Sequence, residues 1–228
     1  MENWKHIFAS AAEELGCPVT EEQLRLFDLY RRELLLWNKK MSLLSLKDPL
    51  DLPVKHFADS LTVLPFLSNS GTPDQPRVID LGSGGGFPGI PLLIANPSLR
   101  LTLLDSSRKK TSFLKELLRT LELNRGRVVN NRIETVMAGG DLHESFDFVV
   151  SRATFSLENL LPVAHHFLAF GGLLISMKGP GADEEIAESA DSASALDMQY
   201  AGRKDLELPR RAGSRSLLLY RKGSDAGN

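Results

Sequence analysis

Residues Asp80, Gly82, Gly84, Gly86 and Asp105 are the first in this chain whose types and spacing suggest chemistry. They sit in and after "VIDLGSGGGFPGIPL", where a short apolar run ends and four glycines fall within five residues. Without Cβ atoms the backbone turns sharply and lets a ligand approach closely. Taken alone, Gly82-x-Gly84-x-Gly86 also suits a tight strand-to-helix turn. Asp105 narrows the reading. It closes the next apolar run, 23 residues after Gly82, where an acid accepts hydrogen bonds from a ribose diol. Ser106 and Ser107 leave helix capping open as an alternative for this corner. Asp80 narrows it further, because a carboxylate two residues before the first glycine would repel a pyrophosphate. A ligand carrying an ammonium and a sulfonium would not be repelled. S-adenosylmethionine has a ribose, an ammonium and a sulfonium, and no phosphate. A dinucleotide register, Gly84-x-Gly86-x-x-Gly89, also exists, but it begins later than a tight strand-to-glycine junction requires. No lysine follows the loop, which excludes a P-loop.

The surrounding elements must place these residues at one sheet edge. From Arg77 onward, short apolar runs alternate with amphipathic ones. "RVIDL", "LRLTLLD", "GRVVNN", "FDFVVSRA" and "GGLLISMK" read as strands. "GIPLLIANP", "SRKKTSFLKELLRTLEL" and "LENLLPVAHHFLAF" read as helices. Repeated β-α-β units imply a parallel sheet covered on both faces. "LDMQYAGRKDLEL" and "SRSLLLYRK" suggest an antiparallel pair at one edge. Ligands of such sheets bind beyond the carboxyl ends of the strands, and the glycines lie there.

Residues 1–67 read as a helical region and residues 68–228 as the sheet domain. Thr20 and Gln23 form a capping box. Leu24, Phe27, Tyr30, Leu34 and Trp37 follow at helical spacing. Asp48-Pro49 is a helix start, leading into a second helix through His56, Leu61 and Leu64.

The 228 residues are 42% hydrophobic and 25% charged, ordinary for a soluble globular protein. The net charge of −2 gives no global attraction to nucleic acid but allows a local basic face. Cys17 is the only cysteine, so no intramolecular disulfide forms, and a reducing compartment fits. No run of about 18 apolar residues marks a membrane span. His165 and His166 are adjacent and lack metal-ligand spacing. No metal site is expected.

The chain resembles the small-subunit ribosomal RNA methyltransferase G family, also known as glucose-inhibited division protein B. The resemblance is carried by "LLLWNKKMSLLSLKDP", "KHFADSL", "VIDLGSGGGFPGIPL", "LTLLDSSRKKTSFLK", "NNRIE", "FDFVVSRA" and "MKG", in that order. Ser42-Leu43-Leu44 replaces the family's Asn-Leu-Thr. The resemblance implies a seven-stranded Rossmann-like α/β fold with an N-terminal helical extension. It implies transfer of a methyl group from S-adenosylmethionine to N7 of a guanosine in 16S ribosomal RNA, in the cytoplasm. Its partner would be that RNA or the small ribosomal subunit, and the chain is expected to be a monomer. Gly82 and Phe87 would line the cofactor with Asp80, Gly84 and Gly86, and Asp105 would hold the ribose. Ile133 and Glu134 would meet the adenine. Arg152 would lie near the methionine end and the incoming base, as a cofactor or substrate contact.

Guanine N7 carries no proton, so no catalytic base is expected. Lys39, Lys40, Lys55, Arg108 and Lys109 are expected to contact RNA phosphates. Two other readings stay open: a methyltransferase with a small-molecule or protein substrate, and a non-enzymatic dinucleotide-binding module.

Overall fold

A computed structural model of the chain describes residues 3–41, 43–44, 51–68, 72–140, 142–152 and 155–223. Two helices come first, α1 (Trp4–Glu14) and α2 (Glu21–Asn38). The capping box opens α2: Thr20 Oγ1 accepts from the Gln23 N–H, and Gln23 Oε1 accepts from the Thr20 N–H. A π-helix (Asp51–Ala58) then runs into the short α3 (Asp59–Leu61), followed by a 3₁₀ turn at Leu64–Leu67. The expected continuous helix through His56 and Leu64 is therefore three different windings. Its expected start at Asp48-Pro49 lies outside the described residues.

The sheet begins with β1 (Arg77–Leu81), then α4 (Gly89–Ala95), β2 (Arg100–Asp105), α5 (Arg108–Thr120), β3 (Gly126–Asn130) and α6 (Ile133–Ala138). There follow β4 (Phe146–Arg152), α7 (Leu157–Phe167), β5 (Leu168–Lys178), α8 (Ala182–Glu188), α9 (Ala190–Ala195), β6 (Met198–Glu207) and β7 (Ser214–Lys222). The strand order is β3-β2-β1-β4-β5-β7-β6. Strands β1 to β5 are parallel to their sheet neighbours among themselves, and β7 runs antiparallel to both β5 and β6. The chain runs outward through β1, β2 and β3, then returns to the other side of β1 with β4. That reversal opens a crevice at the carboxyl ends of β1 and β4.

Alternate residues of each strand enter opposite cores. Val78, Leu103 and Leu217 join one cluster with Phe8, Phe27, Phe57, Phe87 and Phe113. Ile79, Leu104 and Leu218 join the other with Leu161, Phe167 and Tyr220. The first cluster is continuous from Ile7 to Leu217, so the N-terminal helices and the sheet share one core. The Tyr30 ring stacks on Phe87 at 5.4 Å, and its hydroxyl donates to the Gly85 carbonyl at 2.6 Å. Gln23 Nε2 donates to the Ala95 carbonyl, tying the start of α2 to the end of α4. Cys17 Sγ donates to the Leu61 carbonyl at 3.2 Å. Trp37 packs against Phe113, as its helical spacing implies.

A second expected helix is shorter than its apolar pattern implies, and one further stretch is helical. The helix expected through Phe170 ends at Phe167, and Leu168 already belongs to β5. The acidic stretch after Gly181 forms α8 and α9.

Asp80 closes the junction of β1 and α4. It is fully buried, and Oδ2 accepts from the Gly89 N–H at 3.0 Å. Oδ1 has no hydrogen-bond partner. Burial pushes its pKa up to about 7, against the opposing pull of the Gly89 N–H and Arg152. The unfolded carboxyl ionises near pH 4, so the folded state holds a proton that the unfolded state releases between about pH 4 and 7. Stability from this group is therefore present below pH 4 and lost as pH rises towards 7. Wild type should lose stability relative to Asp80→Asn by up to about 1.4 kcal/mol per pH unit across that window, then run parallel above it. Urea unfolding at stepped pH measures this, and curves parallel throughout would show that Asp80 does not titrate there.

Candidate functional site

A cleft of roughly 630 Å³ opens at the carboxyl ends of β1, β2 and β3. Gly82, Asp105, Lys110, Arg132, Ile133, Glu134 and Phe155 are among the residues that line it. All of these but Phe155 sit at a strand end or a helix start. Gly82 follows β1 with φ of +72°, which bends the chain away from the strand. Its N–H and that of Ser83 both donate to the Leu104 carbonyl, joining the loop to β2. Asp105, 8% exposed, ends β2. Its Oδ2 accepts from the Gly84 N–H at 2.9 Å and its Oδ1 from the Ser107 N–H at 2.8 Å. Ser107 is itself the residue capping α5. Asn130 Nδ2 donates to the carbonyls of Asp105 and Ser106, bracing the ends of β2 and β3.

This donor set fits an adenosine moiety. A carboxylate has about four acceptor sites, so Asp105 retains capacity for a diol after serving two backbone groups. Gly82 allows close approach, and Ile133 offers an apolar surface to a flat base. The cleft volume is within the range of about 300–1,000 Å³ usual for ligand sites.

Of the residues expected beside the ligand, Gly82, Asp105, Ile133 and Glu134 line the cleft, and Asp80, Gly84, Gly86, Phe87 and Arg152 do not. Asp80 is turned under the loop to Gly89. Phe87 is 4% exposed and packs among Tyr30, Phe57 and His56. Arg152, at the end of β4, is drawn into a buried charge cluster. Its Nη1 donates to the Lys55 carbonyl and lies 3.4 Å from Asp59 Oδ2. Its Nη2 is 2.8 Å from His56 Nδ1, and its guanidinium lies over the Phe87 ring at 4.9 Å. The Asp59 carboxylate is fully buried and also receives Arg215 bidentately, at 2.8 and 3.0 Å. Burial, then Arg152, lowers the His56 pKa to about 3, so the ring is neutral and Nδ1 is free to accept. Gly84 and Gly86 have φ of +56° and +97°. Gly84 reaches the cleft through Asp105, whereas a Cβ on Gly86 would lie 2.6 Å from the Tyr30 hydroxyl.

Among the expected RNA contacts, Lys39 and Lys40 are exposed at the end of α2, and Arg108 and Lys109 are exposed at the start of α5. Lys55 is exposed and pairs with Asp51 at 2.7 Å. Leu44, where the sequence departs from the family pattern, and its neighbour Leu43 are held by the Asn38 side chain; Ser42, the other departure, lies outside the described residues. His165 and His166 end α7, away from the cleft. Among the described residues no group of three or more His, Cys, Asp or Glu could hold a metal ion, and no helix is long and apolar enough to cross a membrane.

Sequence reasoning missed Lys110, Arg132 and Phe155 as cleft residues. Lys110 and Arg132 lay within runs already singled out, each next to a residue chosen. Phe155 carried no spacing signal.

A family model for rRNA small subunit methyltransferase G matches residues 23–211. A ribosomal RNA small subunit methyltransferase G of Syntrophus aciditrophicus is 39% identical over 220 residues, 96% of this chain and 90% of that protein. One of Desulforamulus reducens is 35% identical over 212 residues, 93% of this chain and 87% of that protein. The crystal structure of a predicted O-methyltransferase from Agrobacterium tumefaciens shares the fold, with a TM-score of 0.53 and 22% identity over 68% of this chain and 78% of that one. The family match covers most of α2, the glycine loop and the whole parallel part of the sheet, and the chain belongs to the rRNA small subunit methyltransferase G family.

Proposed function

We propose that the chain transfers a methyl group from S-adenosylmethionine to N7 of a guanosine in small-subunit ribosomal RNA. The observation that carries this reading is the cleft at the strand-order reversal, lined by Asp105, in a chain of this family. S-adenosylmethionine supplies a methyl group made electrophilic by its sulfonium. Asp105 would accept from the ribose hydroxyls, Gly82 would let the ligand lie against the backbone, and Ile133 with Glu134 would meet the adenine. Guanine N7 is a lone pair with no proton, so none of the cleft residues has a proton to remove. Their task is to hold two reactants in line and exclude water, an effect that can reach about 7–11 kcal/mol. Arg152 acts from behind the glycine loop, in contact with Phe87, rather than from the cleft.

The dinucleotide reading is disfavoured by α4. Its first N–H, at Gly89, is already taken by Asp80. A pyrophosphate there would meet a buried carboxyl instead of open backbone donors. A Cβ on Gly89 would itself lie 2.8 Å from that carboxyl.

Asp105→Ala should weaken S-adenosylmethionine binding by about 1–3 kcal/mol, roughly five- to 150-fold, with loss of charge-assisted hydrogen bonds to the ribose. Calorimetry on the folded variant tests this, and unchanged affinity would remove Asp105 from the site. In a thermal-shift assay S-adenosylmethionine should raise the melting temperature and NAD should not. The opposite result would restore the dinucleotide reading.

Cys17 is buried, and burial raises its thiol pKa, which leaves it unreactive. Cys17→Ala and His165→Ala should each keep methyl transfer to small ribosomal subunits within about twofold, with an unshifted pH profile. A folded Cys17→Ala protein that binds cofactor and transfers nothing would overturn the proton-free mechanism. Nucleoside mass spectrometry of ribosomal RNA from cells with and without the chain reads the product directly.

A further inference from the structure

Phe155 is the one aromatic side chain among the described residues lining the cleft. It lies three residues beyond Arg152, half-buried, with its inner edge packed on the same core as Ile133. Its segment is tied down by charges from a different part of the fold. Lys178, the last residue of β5, is 7% exposed. Its ammonium donates to the Phe155 carbonyl at 2.5 Å and pairs with Glu185 Oε2 on α8 at 2.6 Å. The same Oε2 accepts from the Leu157 N–H at 2.8 Å. One ion pair thus grips the chain at Phe155 and again at Leu157, where α7 begins.

A buried ammonium is costly to desolvate, and apolar residues of similar volume often fill such a site at least as stably. What an apolar pair does not supply is a donor aimed at one carbonyl and an acceptor aimed at one N–H. The pair's distinctive contribution is therefore geometric: it holds the main chain from which the Phe155 ring projects. That ring shares the cleft with Ile133 and Glu134, and with Asp105. Diol acceptor and flat apolar walls together suit one nucleoside. An RNA base on Phe155 would have to share this cleft with that nucleoside.

We propose that Lys178 and Glu185 are a positioning pair that fixes Phe155 as the stacking wall for the adenine of S-adenosylmethionine, opposite Ile133. This rests on the methyl-donor reading above. Phe155 touches the ligand; Lys178 and Glu185 act through it.

The test is calorimetric titration with S-adenosylmethionine and with S-adenosylhomocysteine, which keeps the adenosine and lacks the transferred methyl. Phe155→Ala should weaken both by about five- to 100-fold, as loss of one base–aromatic stack implies, while Phe155→Tyr should keep both within about threefold. Lys178→Met removes the donor to the Phe155 carbonyl and leaves the 30% exposed Glu185 without its cation; it should lower ligand affinity and, modestly, the melting temperature. The double variant Lys178→Met/Glu185→Met should recover the melting temperature but not the affinity, because the tether to the Phe155 carbonyl stays broken. Recovery of both would make the pair purely structural and overturn the positioning role. Phe155→Ala, at a half-exposed position, carries the test if the Lys178 variants do not fold. Unchanged cofactor affinity with weakened RNA binding in Phe155→Ala would assign the ring to the RNA and overturn the proposal. Wild type that binds neither ligand would sink the methyl-donor reading first.

Discussion

The glycine loop is held from both sides, and the site depends on that grip. On the cleft side, Asp105 accepts from the Gly84 N–H. On the opposite side, the buried Tyr30 hydroxyl donates to the Gly85 carbonyl one residue later. Consecutive residues are thus fastened to the sheet and to the N-terminal helices. This explains why so many glycines are needed. Gly82 lines the cleft with φ of +72°, and Gly86 is bare because Tyr30 and Ile90 leave no room for a Cβ. A loop free on either side would pay ordering entropy when a ligand arrives. Fixed on both, it is in place beforehand. The N-terminal helices are accordingly part of the site's architecture, through the aromatic stack Phe27, Phe57, Tyr30 and Phe87.

Buried ionisable groups gather at the same edge of the sheet. Asp80 sits beneath the loop, Asp59 between Arg152 and Arg215, and Lys178 against Glu185. Each position costs desolvation, and none is where a fold seeking stability alone would spend it. In each case a side chain carries a hydrogen bond to a backbone group of another element: Gly89, the Lys55 carbonyl, or the Phe155 carbonyl. The π-helix that presents Lys55 and His56 belongs to the same pattern, since such windings are uncommon and concentrate at functional places.

What could be read from the sequence was local. The glycine spacing, Asp80 and Asp105 announce themselves because strand, loop and next strand lie within about 25 residues of each other, as in any β-α-β nucleotide fold. The Thr20–Gln23 box and the strands of the parallel sheet were legible for the same reason. The illegible parts were long-range or weakly patterned. His56 meets Arg152 across 96 residues, and Asp59 meets Arg215 across 156. No periodicity encodes those meetings, so Arg152 reads as a cleft residue until Asp59 is seen to claim it. Phe155 falls between the strand and the helix read from the sequence, and only the Lys178 contact to its carbonyl singles it out. Helices α8 and α9 were missed because "ADEEIAESADSASA" carries few apolar side chains, and small residues such as Ala182 and Ala193 do the packing. The early end of α7 was missed because "HHFLAF" continues an apolar pattern that suits helix and strand alike.

Methylation of a bare lone pair demands little of functional-group chemistry and much of placement. A site that aligns a nitrogen with a methyl carbon works by position alone, and a displacement of about 1 Å can cost on the order of a hundredfold in rate. The tethers around this cleft are the structural counterpart of that demand. Gly84 is fixed by Asp105, Gly85 by Tyr30, the ends of β2 and β3 by Asn130, and Phe155 by Lys178. In every case the held atom is backbone and the holder is a side chain from elsewhere in the fold. The walls of the cleft are therefore set by the packing of the whole molecule, and its polar residues are employed mainly in holding the main chain still.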